Sequence, residues 1–284
     1  MAAAKRARDP EITGIRLETW EDLNRYAKAG WLYRGHRKAD WVIESSIERC
    51  FEREGIPVKG RYGLEQELLR DFQRAYHQYA AHVPGDGAVL EWLALMEHHG
   101  APTRCVDFSY SIYVAAYFAL EDADDDCAVW AINGPWASNT SVTALRKAGK
   151  KGVQTFLKPT VQEQESIAAE AFLRTPHVRC AVPVNPFRLN ERLRTQRGIF
   201  MVAGDCRLPF MDNLRALPRY HSAENVVKLV IPIELRRTIL RQLYHMNVTR
   251  TSLFPGLDGY AKSLGVYHPS FEPVKWLCLV FRSR

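Results

Sequence analysis

The 284-residue sequence lacks the motifs by which most nucleotide and metal enzymes announce themselves. It contains no G-x-x-x-x-G-K-[ST] and no G-x-G-x-x-G, so neither a P-loop nor a Rossmann phosphate cradle is encoded. The absence of G-x-S-x-G excludes the nucleophile elbow of the α/β-hydrolases. Glu97-His98-His99 does not have the two-histidine helical spacing of H-E-x-x-H, and no other ligand types cluster, so no metal site is expected. The six cysteines never form a C-x-x-C pair, which argues against a zinc or redox site and for reduced thiols. No apolar run approaches the roughly 20 residues of a membrane helix. The start, MAAAKRARDP, has no apolar signal-peptide core. Together these absences predict a cytoplasmic protein with no membrane partner.

Lysine and arginine number 39 against 32 acidic residues, a formal net charge of +7. Such a balance favours an anionic partner such as nucleic acid or a phosphorylated ligand, although a mildly basic solvated surface also accounts for it. No repeat, low-complexity segment or linker divides the chain, so one α+β domain is the economical reading, preceded by a basic, disordered stretch at residues 1–10.

Within that domain the densest segment is EHHGAPTRCVDFSYSIYVAAYFAL, from Glu97 to Leu120. Its charged Arg104 and Asp107 stand among Cys105, Val106 and Phe108. Charges among apolar neighbours are costly unless paired, so the two either face a ligand or form a structural pair. Trp31-Leu32-Tyr33 upstream predicts a buried strand with Arg34 at its end. Gly35 there allows close approach of backbone or ligand, and the arginine's fork suits a phosphate or carboxylate, whether of a ligand or of the core. Downstream, Gln196 stands before Gly198 at a strand entrance, aimed into a cleft or satisfying buried backbone.

The remaining elements follow from periodicity and caps. Helices are expected from Trp20 to Lys28, Ile47 to Glu54, over 64–81, from Val89 to His98, Ile112 to Leu120, Ile167 to Leu173, Leu189 to Leu193 and Leu235 to Met246. Strands are expected over Cys127–Ile132, Val178–Val184, the segment after Gly198, Val226–Ile233 and Trp276–Phe281. Asn133-Gly134-Pro135 reads as a turn and 204–222 as loop. Arg146, Lys147, Lys150 and Lys151, spaced by Gly149 and Gly152, read as a flexible basic loop that touches phosphates or is simply solvated.

Four segments resemble the FRG domain family. They are Tyr33-Arg34-Gly35, Gly100-Ala101-Pro102-Thr103-Arg104-Cys105-Val106-Asp107-Phe108 with Tyr117-Phe118-Ala119, Gln196-Arg197-Gly198-Ile199-Phe200, and the Phe-Pro-x-Leu-Asp-Gly turn from Phe254 to Gly259. The sequence departs from the family's pattern at Cys105-Val106, usually two leucines, and at Glu97, usually glutamine. The family's layout is similar to that of ADP-ribosyltransferases. The resemblance implies an α+β domain over 11–284 with a mixed or antiparallel split sheet and flanking helices.

It also implies NAD as co-substrate, no metal, and a toxin or phage-defence role with an antitoxin as possible partner. The basic balance favours nucleic acid, RNA or DNA, as acceptor. Carried over, Arg34 with Gly35 holds the NAD phosphates or ribose, and Thr103 and Ser109, with Arg104 and Phe200 beside them, shape the nicotinamide-ribose pocket. Gln196 takes the place of a third-strand glutamate, and Asp107 is the candidate base, since an amide cannot accept the nucleophile's proton. A non-catalytic nucleotide- or nucleic-acid-binding module is the alternative. A nuclease is disfavoured by the shortage of clustered carboxylates.

Overall fold

The computed structural model describes Ile12 and residues 14–153, 160–186 and 191–266. Among them, seven strands form one mixed sheet, flanked by twelve α-helices. The central strand is β2 (Trp31–His36), hydrogen-bonded along its length to β4 (Cys127–Asn133), which in turn pairs with β7 (Val226–Ile231). On the other side of β2 come β3 (Cys105–Ser109), β6 (Gly198–Ala203) and β5 (Ala181–Val184). All these pairings are antiparallel, and the short edge strand β1 (Ile15–Arg16) adds a parallel pair to β7.

The two halves of the sheet are joined at one point. Strands β2 and β3 share a single register pair, Tyr33 with Ser109, while β2–β4 and β3–β6 have full ladders. Past that pair the strands diverge, and a carbonyl of β3 loses its ladder partner. Arg34 supplies the donor: its Nη1 hydrogen-bonds the Asp107 carbonyl at 2.6 Å. A strand carbonyl that loses its ladder partner takes another donor where one is in reach, and the Arg34 side chain stands in for the missing strand contact.

One face of the sheet is covered by α5 (Ile112–Leu120). Its sequence, IYVAAYFAL, is apolar all round, which suits a helix buried between the sheet and α10 (Arg236–His245). Gly35 sits where α5 crosses β2. A Cβ there would lie 2.0 Å from the Ala115 carbonyl oxygen and 2.7 Å from the Ala119 nitrogen. The close approach this glycine permits is therefore that of a helix. Gly35→Ala is expected to destabilise the fold by at least about 1–3 kcal/mol, because backbone on both sides must move. Chemical denaturation measures it, and an unchanged midpoint would refute this account of the glycine.

The opposite face is covered by α4 (Val89–His98), α6 (Gly134–Lys147) and α7 (Val161–Ala168), the last continuing into a π-helical turn at Ala169–Leu173. A smaller cluster of Leu69, Trp92 and Met96 joins α3 (Val58–Tyr76) to α4.

Several expectations are corrected here. Asn133-Gly134-Pro135 is the start of α6, with Asn133 accepting from the Trp136 amide and proline in the first turn. Arg146 and Lys147 close that helix as exposed side chains and Lys151 is exposed, whereas Lys150 is buried with its Nζ donating to the Arg174 carbonyl. The stretch 204–222 contains α9 (Phe210–Arg215), buried through Phe210, Met211 and Leu214. Helix α3 begins at Val58, six residues before the first leucine of its apolar stripe. The expected basic tail at 1–10 and the strand at Trp276–Phe281 lie outside the described residues.

Helix α2 (Ser46–Arg53) carries a pH-sensitive contact. Glu48 closes the capping box with Ser45 and also accepts from the Phe210 amide at 3.0 Å, tying α2 to α9. Burial raises its pKa to about 7. The folded state then binds more protons than the unfolded chain between the ordinary glutamate range and about pH 7. The associated stability is fully present below the unfolded pKa and is lost as pH rises through about 7. Its size is about 2–3 kcal/mol. Denaturation from pH 4.5 to 8 should show a wild-type decline that Glu48→Gln flattens. Parallel profiles for the two would count against it.

Candidate functional site

The divergence of β2 from β3 builds the site. Arg34, fourth residue of β2, points into the gap with Nη1 on the Asp107 carbonyl and Nε 3.2 Å from His36 Nε2. Desolvation lowers its pKa and the Arg49 charge adds to that, while Asp107 and Glu97 oppose it. Asp107 is the exposed residue of an otherwise buried strand. Among the described residues no hydrogen bond or ion pair engages its carboxylate.

Glu97, at the last turn of α4, brings a second carboxylate to the same place. Its Oε2 accepts hydrogen bonds from Thr103 Oγ1 and from Ser46 Oγ at 3.0 Å. Burial raises its pKa, and the neighbouring Asp107 charge pushes the same way. Two carboxylates near one another in unequal environments are the arrangement that separates an acid from a base. Glu97, His98, Asp107, Arg192, Gln196 and Phe200 line a cavity of about 40 Å³.

Two larger cavities lie on the same part of the molecule, one sharing His98 and Arg192 with the small cavity and the other bordered by Arg34, the residue bonded to the Asp107 carbonyl. Arg34, Gly35, Arg37, Trp41 and Arg49 border one of about 420 Å³. His98, Arg192, Arg250 and Phe254 border another of about 470 Å³. Phe254 lies between the guanidinium groups of Arg192 and Arg250, 4.9 and 4.6 Å from its ring centre, with the edge of Phe118 at 5.8 Å. The turn that follows is fixed by Gly259, where a Cβ would meet the Phe254 carbonyl oxygen at 1.8 Å. Arg250 is ion-paired to Glu121 at the end of α5, which anchors this turn to the sheet.

The site residues expected from the sequence divide into two groups. Arg34, Asp107, Gln196 and Phe200 come together around the seam. The side-chain amide of Gln196 donates to the Leu253 carbonyl at 3.1 Å, and the Gln196 backbone carbonyl accepts from Ser109 Oγ at 2.8 Å. Phe200 forms a wall of the small cavity and is otherwise in the core.

Arg104, Thr103, Ser109 and Gly35 are corrections. Arg104 is fully buried and pairs with Glu65 of α3 through Nε at 2.7 Å and through Nη2, so it forms no pair with Asp107. Its Nη1 reaches the carbonyls of Ala203 and Gly204 at 3.3 Å. Adjacent residues of an extended chain point to opposite faces, and Arg104 and Asp107 are three positions apart, so their side chains leave on opposite sides. Thr103 is buried with its hydroxyl committed to Glu97. Ser109 is buried and holds the Gln196 segment against β3. Gly35 borders the large cavity, but its lack of a side chain is dictated by α5.

Sequence reasoning missed Glu97, His98 and Arg192 as site residues. For Glu97 a signal existed: it was the departure from the resembled pattern at the head of the central segment. Arg192 had none, since nothing local to α8 (Glu191–Thr195) tells an exposed arginine from one facing a cleft.

The fold and site thus define an α+β protein with one mixed sheet, in which Arg34 bonds across the short β2–β3 pairing. Residues 29–127 match the family model of the FRG domain, a segment that runs from just before β2 to the first residue of β4. It includes Arg34, Glu97, Thr103 and Asp107 and leaves Arg192 and Gln196 outside. No curated protein and no solved structure matches the chain. Among the described residues no helix is long and apolar enough to cross a membrane, and no group of three or more His, Cys, Asp or Glu could hold a metal ion.

Proposed function

We propose that this protein transfers ADP-ribose from NAD to a macromolecular acceptor, RNA or DNA being favoured by the net charge of +7. The observation that carries the reading is the meeting of Arg34, Glu97, Asp107 and Gln196, from four separate segments, where the sheet divides. ADP-ribosyltransferases, to which the FRG layout is similar, work in a cleft of a split sheet with an arginine on one strand and a glutamate or glutamine on another.

In the reaction the bond from the nicotinamide nitrogen to C1′ of the ribose breaks, and its electron pair leaves with nicotinamide. Positive charge builds on the ribose as in glycoside transfer. Arg34 holds the diphosphate, and Gln196 orients a ribose hydroxyl. An acceptor oxygen or nitrogen attacks C1′ and gives its proton to Asp107, whose carboxylate is exposed and unengaged. Glu97, held by Thr103 and Ser46, is the second proton-carrying group at the seam. The same reading places the protein as a toxin or phage-defence effector, restrained by an antitoxin.

The space beside Asp107, about 40 Å³, favours a second reading, a module that binds a nucleotide without turning it over. One experiment separates the two. The protein is incubated with NAD labelled in the adenylate half and with RNA, DNA or protein acceptors. Transfer to acceptor, reduced at least about 100-fold in Arg34→Ala, supports the reaction. Stabilisation by NAD without label transfer supports the binding module, and neither effect refutes both.

A further inference from the structure

The widest cavity bordering Arg34 has a chemistry of its own. Three arginines reach it from different elements: Arg34 from β2, Arg37 from the turn after it, and Arg49 from α2. Among the described residues none of the three has a carboxylate within ion-pair distance. Arg49 donates to the Glu44 carbonyl at 3.0 Å, and its charge acts on Arg34 across the cavity. Arg37 lies over the ring of Trp41, 5.5 Å from its centre. Three like charges directed at one hollow repel each other, and an anion seated between them removes that cost.

The other wall differs. It carries Phe118, Glu121 and Asp122 from the C-terminal end of α5. Glu121 is occupied by Arg250, whereas Asp122 is exposed. Carboxylates on this side disfavour a bare polyanion. They suit a ligand that presents phosphates to one wall and hydroxyl donors to the other. Trp41, partly exposed, adds a flat apolar surface for a base. A volume of about 420 Å³ is in the range of pockets that enclose small ligands.

We propose that this cavity binds a nucleoside diphosphate: the diphosphate between Arg34, Arg37 and Arg49, a ribose hydroxyl on Asp122, and the base against Trp41. The assignment rests on the proposed transfer reaction for its biological ligand, the ADP half of NAD, but its chemistry stands on the cavity alone. It adds Arg37, Trp41, Arg49 and Asp122 to the site and separates a diphosphate-holding region from the reacting groups around Asp107.

The test uses ADP as probe, titrated into the full chain by calorimetry, with inorganic pyrophosphate and adenosine in parallel. Arg37→Ala and Arg49→Ala replace exposed or half-buried side chains without a salt bridge, so folding is expected to survive. Their combination should weaken ADP at least about tenfold, as loss of charge-assisted contacts does. Trp41→Ala should weaken ADP but not pyrophosphate. Arg25→Ala, paired with Asp22 on a different helix, should leave both unchanged. No ADP binding by the wild type, or equal binding by the double variant, overturns the assignment. So does pyrophosphate binding as tight as ADP with no effect of Trp41→Ala, which would reduce the cavity to an anion site. ADP binding without any NAD turnover removes the transfer reaction and leaves the assignment standing. Turnover with an unchanged KM for NAD in the double arginine variant removes the assignment and leaves the reaction.

Discussion

Arg104→Ala is expected to cost about 3–5 kcal/mol of folding stability, the largest loss from any single charged residue described above. The reason is what the substitution leaves behind. Arg104 and Glu65 are both within the interior, with the guanidinium edge spanning the carboxylate. Removal of the arginine strands a carboxylate far from water and frees the carbonyls of Ala203 and Gly204 from their shared donor. Replacing both partners with apolar residues of similar volume should recover most of the stability, since desolvation of two charges offsets much of their attraction. Chemical denaturation of the two single variants and the double variant measures each part. A loss below about 1 kcal/mol in Arg104→Ala would show that the pair does not hold α3 to the sheet.

Asp107→Asn should do the reverse, leaving stability almost unchanged and removing turnover. The side chain is exposed, and no described residue depends on its carboxylate. What holds Arg34 is the Asp107 carbonyl, which asparagine keeps. In the proposed reaction Asp107 accepts the acceptor's proton, so its loss is expected to slow that transfer by about 10²–10⁴-fold. KM for NAD should change little, because the proposal puts the diphosphate against other residues. The comparison with Arg34→Ala is informative. Loss of that side chain removes the proposed diphosphate contact and also the donor to a β3 carbonyl, so it should lower both affinity and stability. Transfer within threefold of wild type in Asp107→Asn would exclude Asp107 as base and direct attention to Glu97, whose pKa is raised by burial and by Asp107 itself.

Much of the fold could be read from local pattern. The alternation and β-branching of 226–231, the continuous apolar run of Ile112–Leu120 and the cap at Thr19 each specify an element without help from the rest of the chain. Local pattern failed where tertiary contacts override it. The sequence around 210–215 is too short and mixed to read as a helix, and becomes one because Phe210, Met211 and Leu214 have a core to enter. Basic residues around 146–151 read as loop, yet Lys150 is drawn inward by the Arg174 carbonyl. For the site, Arg34, Asp107 and Gln196 were legible as polar groups at strand positions. The assignments of Arg104 and Thr103 were not, because an arginine that faces a ligand and one that faces a buried glutamate look alike along the chain.

Composition and pattern alone determined that the P-loop, Rossmann, hydrolase-elbow and zinc-peptidase motifs are missing from the sequence, and that the protein carries excess positive charge. Short-range patterning determined most helices and strands, because burial of one face depends on spacing within a single segment. Only the tertiary structure decided which charged groups share a cavity. Glu65 and Arg104 are 39 residues apart, and Arg34 and Asp107 are 73 apart. Which of two carboxylates an arginine meets is settled by how α3 and the two sheet halves pack, and electrostatic pairing at such separation leaves no periodicity to read.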